Sequence, residues 1–252
     1  MIFLMMAAHD TSTITTAAVA YFLAKNPEWQ DRLRAESDRL GDDLPDIEDL
    51  EGLTAMDLVI KESLRLVAPV PLVMRKTVTD TVIDGYYVPS GVLVAITPAV
   101  NHFAPTVSTE PDRFDPTRLE PPRREDQAHR FAWLPFGGGA HKRIGMHFGT
   151  LEVKAILHEM LREFTWSLDD GYRVRWDNTS LPVPCRRPTY YVVSPMISRS
   201  FHETFECLAE HIALTGRRRN RRSPPSGLGD PQQTPANRSR QTYANCRKGW
   251  SC

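Results

Sequence analysis

Residues 3–24 are apolar or small around much of the girth of a helix, so a helix here has to be covered on several sides at once. A membrane span does not fit, because Thr11, Ser12, Thr13, Thr15 and Thr16 make the run too polar. A secretory leader does not fit either, since no basic residue opens the run and its apolar stretch stops at His9-Asp10. The segment reads as a buried helix of a soluble protein. With 41% apolar and 25% charged residues, the composition is that of an ordinary globular domain. Inside this helix, Ala7-Ala8-His9-Asp10-Thr11-Ser12 places an acid and hydroxyls among apolar neighbours. Such groups are explained by interior water, a kink or chemistry, or by hydroxyls bonding back to their own helix.

The rest of the body is helix-rich with minor sheet. Asn26-Pro27 marks a cap and first turn, and residues 27–40 read as an amphipathic helix with Trp29, Leu33 and Leu40 on one side, ended by Gly41. Thr54 is the expected cap of a helix running to about Val67, with Asp57 in a capping-box-like position and Pro69 and Pro71 as the stop. Short strands are expected at 72–79, 86–89 and 92–97, separated by the turn signals Asp84-Gly85 and Ser90-Gly91. Residues 104–135 have little periodicity and read as an irregular meander. A glycine loop at 136–139 leads into a helix from about Ile144 to Phe164, and weaker strand signals follow at 164–168, 172–176 and 189–193.

Three further motifs stand out. Glu62-Ser63-Leu64-Arg65 sets a carboxylate and a guanidinium on one helix face, which by itself describes a solvated surface pair. Phe114-Asp115-Pro116-Thr117-Arg118-Leu119 is by itself a polar loop with a proline turn. Phe136-Gly137-Gly138-Gly139-Ala140-His141-Lys142-Arg143-Ile144-Gly145 is a loop whose glycines allow positive φ and close approach to a flat ligand. It lacks the G-x-x-x-x-G-K-[ST] order of a phosphate-cradling loop.

Taken in order, these elements resemble the cytochrome P-450 family. That family has a central helix with [AG]-G-x-[DE]-T-[ST], then E-x-x-R, then F-x-P-x-R-F after a small sheet, and F-x-x-G-x-x-x-C-x-G before a helix. The likeness covers about residues 1–184 and corresponds to roughly the second half of a family chain, so the helices that roof the haem and shape the substrate pocket are expected outside it. It implies a mainly α fold with a small β-sheet, built of a long central helix, a meander, a haem-binding loop and a final long helix. It also implies a haem cofactor and insertion of one oxygen atom of O2 into a lipophilic substrate. Electrons would come from NAD(P)H through a ferredoxin- or reductase-type donor, in the cytoplasm. Asp10 and Thr11 would relay protons on the oxygen side. Glu62, Arg65 and Arg118 would form a buried ion network. Arg75 and His141 would hold haem propionates, Phe136 would pack beneath the porphyrin, and Gly139 and Gly145 would let the loop approach. Ala8 and Leu119 are mild departures from the family pattern. Arg143 is a severe one, because it stands where the resemblance places the cysteine that ligates iron.

Past residue 184 the character changes. Residues 1–184 carry a net charge of −8 and residues 185–252 one of +8, and all four cysteines (Cys185, Cys207, Cys246 and Cys252) fall in the second stretch. Without cysteines the body has no disulfide framework. Residues 185–252 read as a basic, disordered tail unlike the family, of the composition a shifted reading frame produces, with a weak helix at 199–214. Arginine clusters such as Arg217-Arg218-Arg219 bind phosphates without sequence preference, but the tail has few aromatics and no recognisable module, so nucleic acid is not the expected partner. For the chain as written, with arginine at 143, the preferred expectation is an inactive remnant without haem-thiolate chemistry.

Overall fold

The expected central helix is α1 (Ile2–Lys25). The computed structural model describes residues 2–193 apart from 42, 180 and 187, with the backbone alone at 2–7 and 141. The weak helix expected at 199–214 and the disorder expected beyond residue 193 lie outside the described residues, whereas at the start of the expected disordered tail residues 190–193 form a strand. Burial of α1 is concentrated in its second half, where Ile14, Thr15, Thr16, Ala18, Val19 and Ala20 are all buried. Such a nearly continuous run is possible only with cover on several sides. Two groups of neighbours supply that cover: Val19, Ala20, Leu23 and Ala24 join the main core, whereas Ile14 and Ala18 pack with Val67 in a second cluster.

The second helix, α2 (Pro27–Ser37), starts at its proline as expected but gives way to a 3-10 turn at Asp38–Leu40, which Gly41 ends at φ 78°. A short helix, α3 (Ile47–Gly52), was not expected. It is capped reciprocally by two aspartates: the Asp49 amide donates to Asp46 Oδ1 at 2.9 Å and the Asp46 amide to Asp49 Oδ2 at 3.0 Å. Helix α4 (Thr54–Leu66) is where the sequence placed it, but its cap is not Thr54. The buried Glu36 of α2 accepts the free amides of Ala55 at 2.9 Å and Met56 at 3.0 Å. A carboxylate at the positive end of a helix satisfies donors that a local hydroxyl would otherwise serve. Asp57 pairs with Lys154 at 3.0 Å rather than completing a capping box.

Among the described residues the strands form four antiparallel pairs rather than one layer. Strand β1 (Val73–Lys76) pairs with β4 (Leu93–Ile96), while β2 (Thr81–Ile83) and β3 (Tyr86–Val88) form a hairpin across Asp84-Gly85, both at positive φ. The expected strand at 72–79 thus ends early, and a separate β2 follows it. A one-turn helix, α5 (Ala99–His102), comes next, then the meander with 3-10 turns at Pro116–Leu119 and Glu125–Gln127. The long α6 (Met146–Glu163) precedes β5 (Thr165–Leu168), β6 (Trp176–Asp177), β7 (Val183–Pro184) and β8 (Tyr190–Val193). The pairs β5–β8 and β6–β7 are antiparallel.

The main core lies between α1, α2, α4, α6 and β5, around Leu23, Leu33, Met56, Val59, Leu157 and Leu161. Gln30 stitches this layer to β5: it donates to the Trp166 carbonyl at 3.0 Å and accepts the Trp166 amide at 3.1 Å. Arg34 closes the last turn of α6 by donating to the carbonyls of Leu161 and Phe164.

Candidate functional site

Glu62 is fully buried on α4, and four donors converge on its carboxylate. Arg65 Nε reaches Oε2 at 2.7 Å and Nη2 reaches Oε1 at 2.9 Å, Arg118 Nε reaches Oε1 at 3.0 Å, and the Asp115 amide reaches Oε1 at 3.1 Å. The surface-pair reading of Glu62 and Arg65 is therefore wrong. The two arginines also donate to backbone carbonyls: Arg65 to that of His102 at the end of α5 and of Arg113 in the meander, Arg118 to those of Thr109, Glu110 and Arg113. Glu125, which sequence reasoning missed, adds a second carboxylate at 2.8 Å from Arg118 Nη1. Burial works against its charge, yet hydrogen bonds from Arg123 and Arg118 hold its carboxyl below the usual range. No periodic signal marks Glu125, since it sits in the aperiodic meander.

His102 is a second residue that sequence reasoning missed. Its ring is fully buried at the end of α5, with Nδ1 3.1 Å from the Arg65 carbonyl and Nε2 2.8 Å from the Leu134 amide. Burial pushes the ring down to about 4. Leu134 in turn opens the glycine loop: its carbonyl accepts the Gly137 amide at 3.0 Å, and the Phe136 carbonyl accepts the Arg143 amide at 3.0 Å, closing the loop on itself.

Within the loop, Gly137 (φ 73°) and Gly139 (φ 68°) occupy backbone positions that disfavour side chains. Gly145 does not: its φ is −73°, and a Cβ added there meets nothing within 4 Å. Phe136 is half-buried against the core, tilted toward Trp133 with ring centroids 6.0 Å apart. Arg143 is exposed. The His141 backbone ends a 3-10 turn at Gly139–His141, and its side chain is outside the description.

On α1, Asp10 Oδ1 lies 3.1 Å from His9 Nδ1, and Thr11 donates to the Ala8 carbonyl at 3.1 Å. Thr13, Thr15 and Thr16 likewise donate to carbonyls four residues earlier. Back-bonding thus accounts for these hydroxyls. Ser12 behaves differently and donates to Glu152 Oε2 on α6 at 2.6 Å, so the Asp10–Ser12 turn is tied to the helix that follows the loop. Arg75 stands exposed on β1, where its Nη1 donates to the adjacent Met74 carbonyl at 2.9 Å. The structure brings Glu62, Arg65 and Arg118 together, and leaves Arg75 apart from them on the sheet.

This arrangement matches known proteins. The family description "Cytochrome P450" fits residues 1–192. The chain belongs to the cytochrome P450 family. Among its relatives, a putative cytochrome P450 136 of Mycobacterium tuberculosis is 54% identical over 185 residues, covering 73% of this chain and 38% of that one. A sterol 14alpha-demethylase of Mycolicibacterium vanbaalenii is 35% identical over 190 residues, covering 73% and 42%. The heme domain of a cytochrome P450DA mutant superposes with a TM-score of 0.69 at 27% identity, over 77% of this chain and 43% of that structure. The chain thus spans well under half the length of these P450 relatives. The match runs to residue 192 and includes most of β8, beyond position 184 where the sequence reading placed the end of the likeness.

P450 proteins of this family are haem-dependent. Neither backbone nor packing explains glycine at 145, where an added Cβ meets open space. The donor set does not suit haem. Arg143 offers no lone pair to a metal and stays protonated. Among the described residues there is no cluster of three or more histidine, cysteine or acidic side chains able to hold a metal ion, and Cys185 lies exposed beyond α6. The described residues of the loop, with Arg143 in place of a thiol, do not fit a haem-thiolate centre. Among the described residues, no helix is long and apolar enough to cross a membrane.

Proposed function

We propose that this chain descends from a haem-dependent monooxygenase and is, as written, a remnant without haem-thiolate chemistry. The ancestral activity would insert one oxygen atom of O2 into a lipophilic substrate, with electrons from NAD(P)H through a ferredoxin- or reductase-type donor, in the cytoplasm. Relatives named as sterol and lanosterol demethylases support a lipophilic substrate. In that ancestor Asp10 and Thr11 would serve as proton relays, Arg75 and His141 as propionate partners, and Phe136, Gly139 and Gly145 as the bed of the cofactor.

The observation that carries the reading is Arg143, which closes the loop through its amide but brings a cation where an anionic sulfur is needed. A ferric porphyrin core bears about one net positive charge. A second positive charge at roughly 4 Å costs about 4 kcal/mol at an effective dielectric near 20. The test is to reconstitute the protein with haem, reduce it and add carbon monoxide. The red-shifted Soret band of a thiolate ligand is expected to be absent. It is expected to appear with Arg143→Cys in a hybrid carrying the preceding half of a longer relative. A thiolate-type band from the unaltered chain overturns the proposal.

The proposal extends to the stretch after the family match. Residues 193–252 carry a net charge of +6 and hold three of the four cysteines, which supports translation in a shifted frame. Sequencing the genomic DNA tests this: an alternative frame there should continue the family likeness, and its absence in all frames removes the idea.

A further inference from the structure

We propose that His102 is a positioning residue for the glycine loop, passing the placement of Arg65 to Leu134 through one neutral tautomer of its ring. The role holds whichever residue stands at 143, and so does not depend on the reading of Arg143.

The tautomer follows from the two partners. A carbonyl only accepts and a backbone amide only donates. Facing the Arg65 carbonyl at 3.1 Å, Nδ1 has to carry the proton, and facing the Leu134 amide at 2.8 Å, Nε2 has to offer its lone pair. The ring is fully buried, so water does not substitute for either partner. An imidazolium would set N–H against N–H at Leu134 and lose that bond. The main chain of His102 holds the same arginine from the other side, since Arg65 Nη1 donates to the His102 carbonyl at 2.9 Å. Arg65 is therefore gripped at both its side chain and its backbone by one residue.

At the other end, Leu134 governs the loop in two ways. Its carbonyl accepts the Gly137 amide, which starts the turn at positive φ. Its Cδ2 lies 3.2 Å from the place a Cβ on Gly138 would occupy, so the side chain fills the space beside the loop at Gly138. A shift at Leu134 moves Gly137 and Gly138 with it, and through the Phe136–Arg143 bond it moves residue 143. The buried ion centre and the loop are thus mechanically joined by one imidazole.

The experiment uses the full chain with labelled histidine rings. At neutral pH, nitrogen NMR is expected to show Nε2 of His102 unprotonated and Nδ1 protonated; the opposite tautomer overturns the proposal. Hydrogen exchange then separates a positioning role from a merely structural one. His102→Asn keeps a donor for the Arg65 carbonyl but does not reach Leu134, so the amides of Leu134, Gly137 and Arg143 should exchange about tenfold faster while α6 keeps its protection, the loss expected for one buried hydrogen bond. His102→Gln carries an acceptor near the Nε2 position and should restore most of the protection. Equal behaviour of the two variants at these three amides, or unchanged protection in both, overturns the proposal.

Discussion

Around Glu62, each guanidinium ends on a carboxylate or a carbonyl, and the side chains of Glu62, Arg65 and Arg118 are between 0 and 3% exposed. From Phe136 to Gly145 the chain is held differently: backbone turns at positive φ, one bond across the loop, and an exposed arginine at 143. The first region is complete within the described residues. Its charges are matched by partners that α4 and the meander supply. The second takes its shape from its own backbone turns. No charge of the ion centre depends on residue 143, so a substitution there should have little consequence for the fold. A buried ion network fixes geometry more than it adds net stability, but it tolerates no missing member.

The largest effect is therefore expected at the centre itself. Glu62→Gln leaves Arg65 with no carboxylate and Arg118 with Glu125 alone. Removing one partner of a buried pair typically costs about 3–5 kcal/mol. Denaturant unfolding should show a loss of that order, and a loss below about 1 kcal/mol would mean the centre is more hydrated than its geometry indicates. Arg143→Ser, by contrast, should change stability by less than about 0.5 kcal/mol, as surface substitutions do.

The second effect is a pH dependence located at the joint between the two regions. His102 has its ring lowered from 6.5 to about 4 by burial first, with the Arg65 charge acting in the same direction. Between those values the unfolded chain binds a proton that the folded chain refuses. Stability is therefore fully present above pH 6.5 and declines as pH falls toward 4, by about 3 kcal/mol. His158, fully buried with neither ring nitrogen hydrogen-bonded, is also shifted down by burial and tilts the curve the same way. Glu125 and Asp115, both held below the usual range, lose their contribution only at lower pH. Comparing the unaltered chain with His102→Gln isolates the histidine. If the two curves run parallel from pH 6.5 to 4, the ring is not buried as described.

How much of this was readable beforehand depended on whether the cause was local. Helix α2 follows from its apolar period, α1 from an apolar girth, and α4 and α6 from the turn and stop signals around them, and Asn26-Pro27 and Gly41 mark the boundaries they should. The ion centre was identified from spaced residues that resemble the family, while Glu62 and Arg65 alone suggested only a surface pair. Helix α3 was missed because its capping box pairs two aspartates instead of the usual hydroxyl and glutamate. The cap of α4 was assigned to Thr54 because nothing in a sequence shows that Glu36, from another helix, will fold onto the Ala55 and Met56 amides. His102 was invisible for the same reason, its partners Arg65 and Leu134 being supplied by tertiary structure, whereas Glu125 pairs with nearby Arg118 and Arg123 but in a segment without a period. The hydroxyls of α1 were left open between chemistry and back-bonding, and four threonines prove to bond back while Ser12 crosses to Glu152.

The smallest expected effect is the most discriminating one within the loop. Gly139 and Gly145 were both read as glycines needed for close approach, but they differ physically. At Gly139 the backbone sits at φ 68°, so alanine there is strained by about 1 kcal/mol even though no atom blocks its methyl group. At Gly145 the φ of −73° suits any residue and the space is open, so Gly145→Ala should change unfolding stability by less than about 0.5 kcal/mol. The fold thus gives a reason for glycine at 139 and none at 145. If Gly145 serves a flat group laid against the loop, its alanine variant should leave stability untouched and weaken association with added porphyrin. The Gly139 variant should show the reverse order of effects, stability first. Thermal unfolding and porphyrin titration of the two variants separate these outcomes. A Gly145→Ala protein destabilised by more than about 1 kcal/mol would show that the residue is constrained by the protein itself, and that the loop is less of an open cradle than the comparison with the Glu62 centre implies.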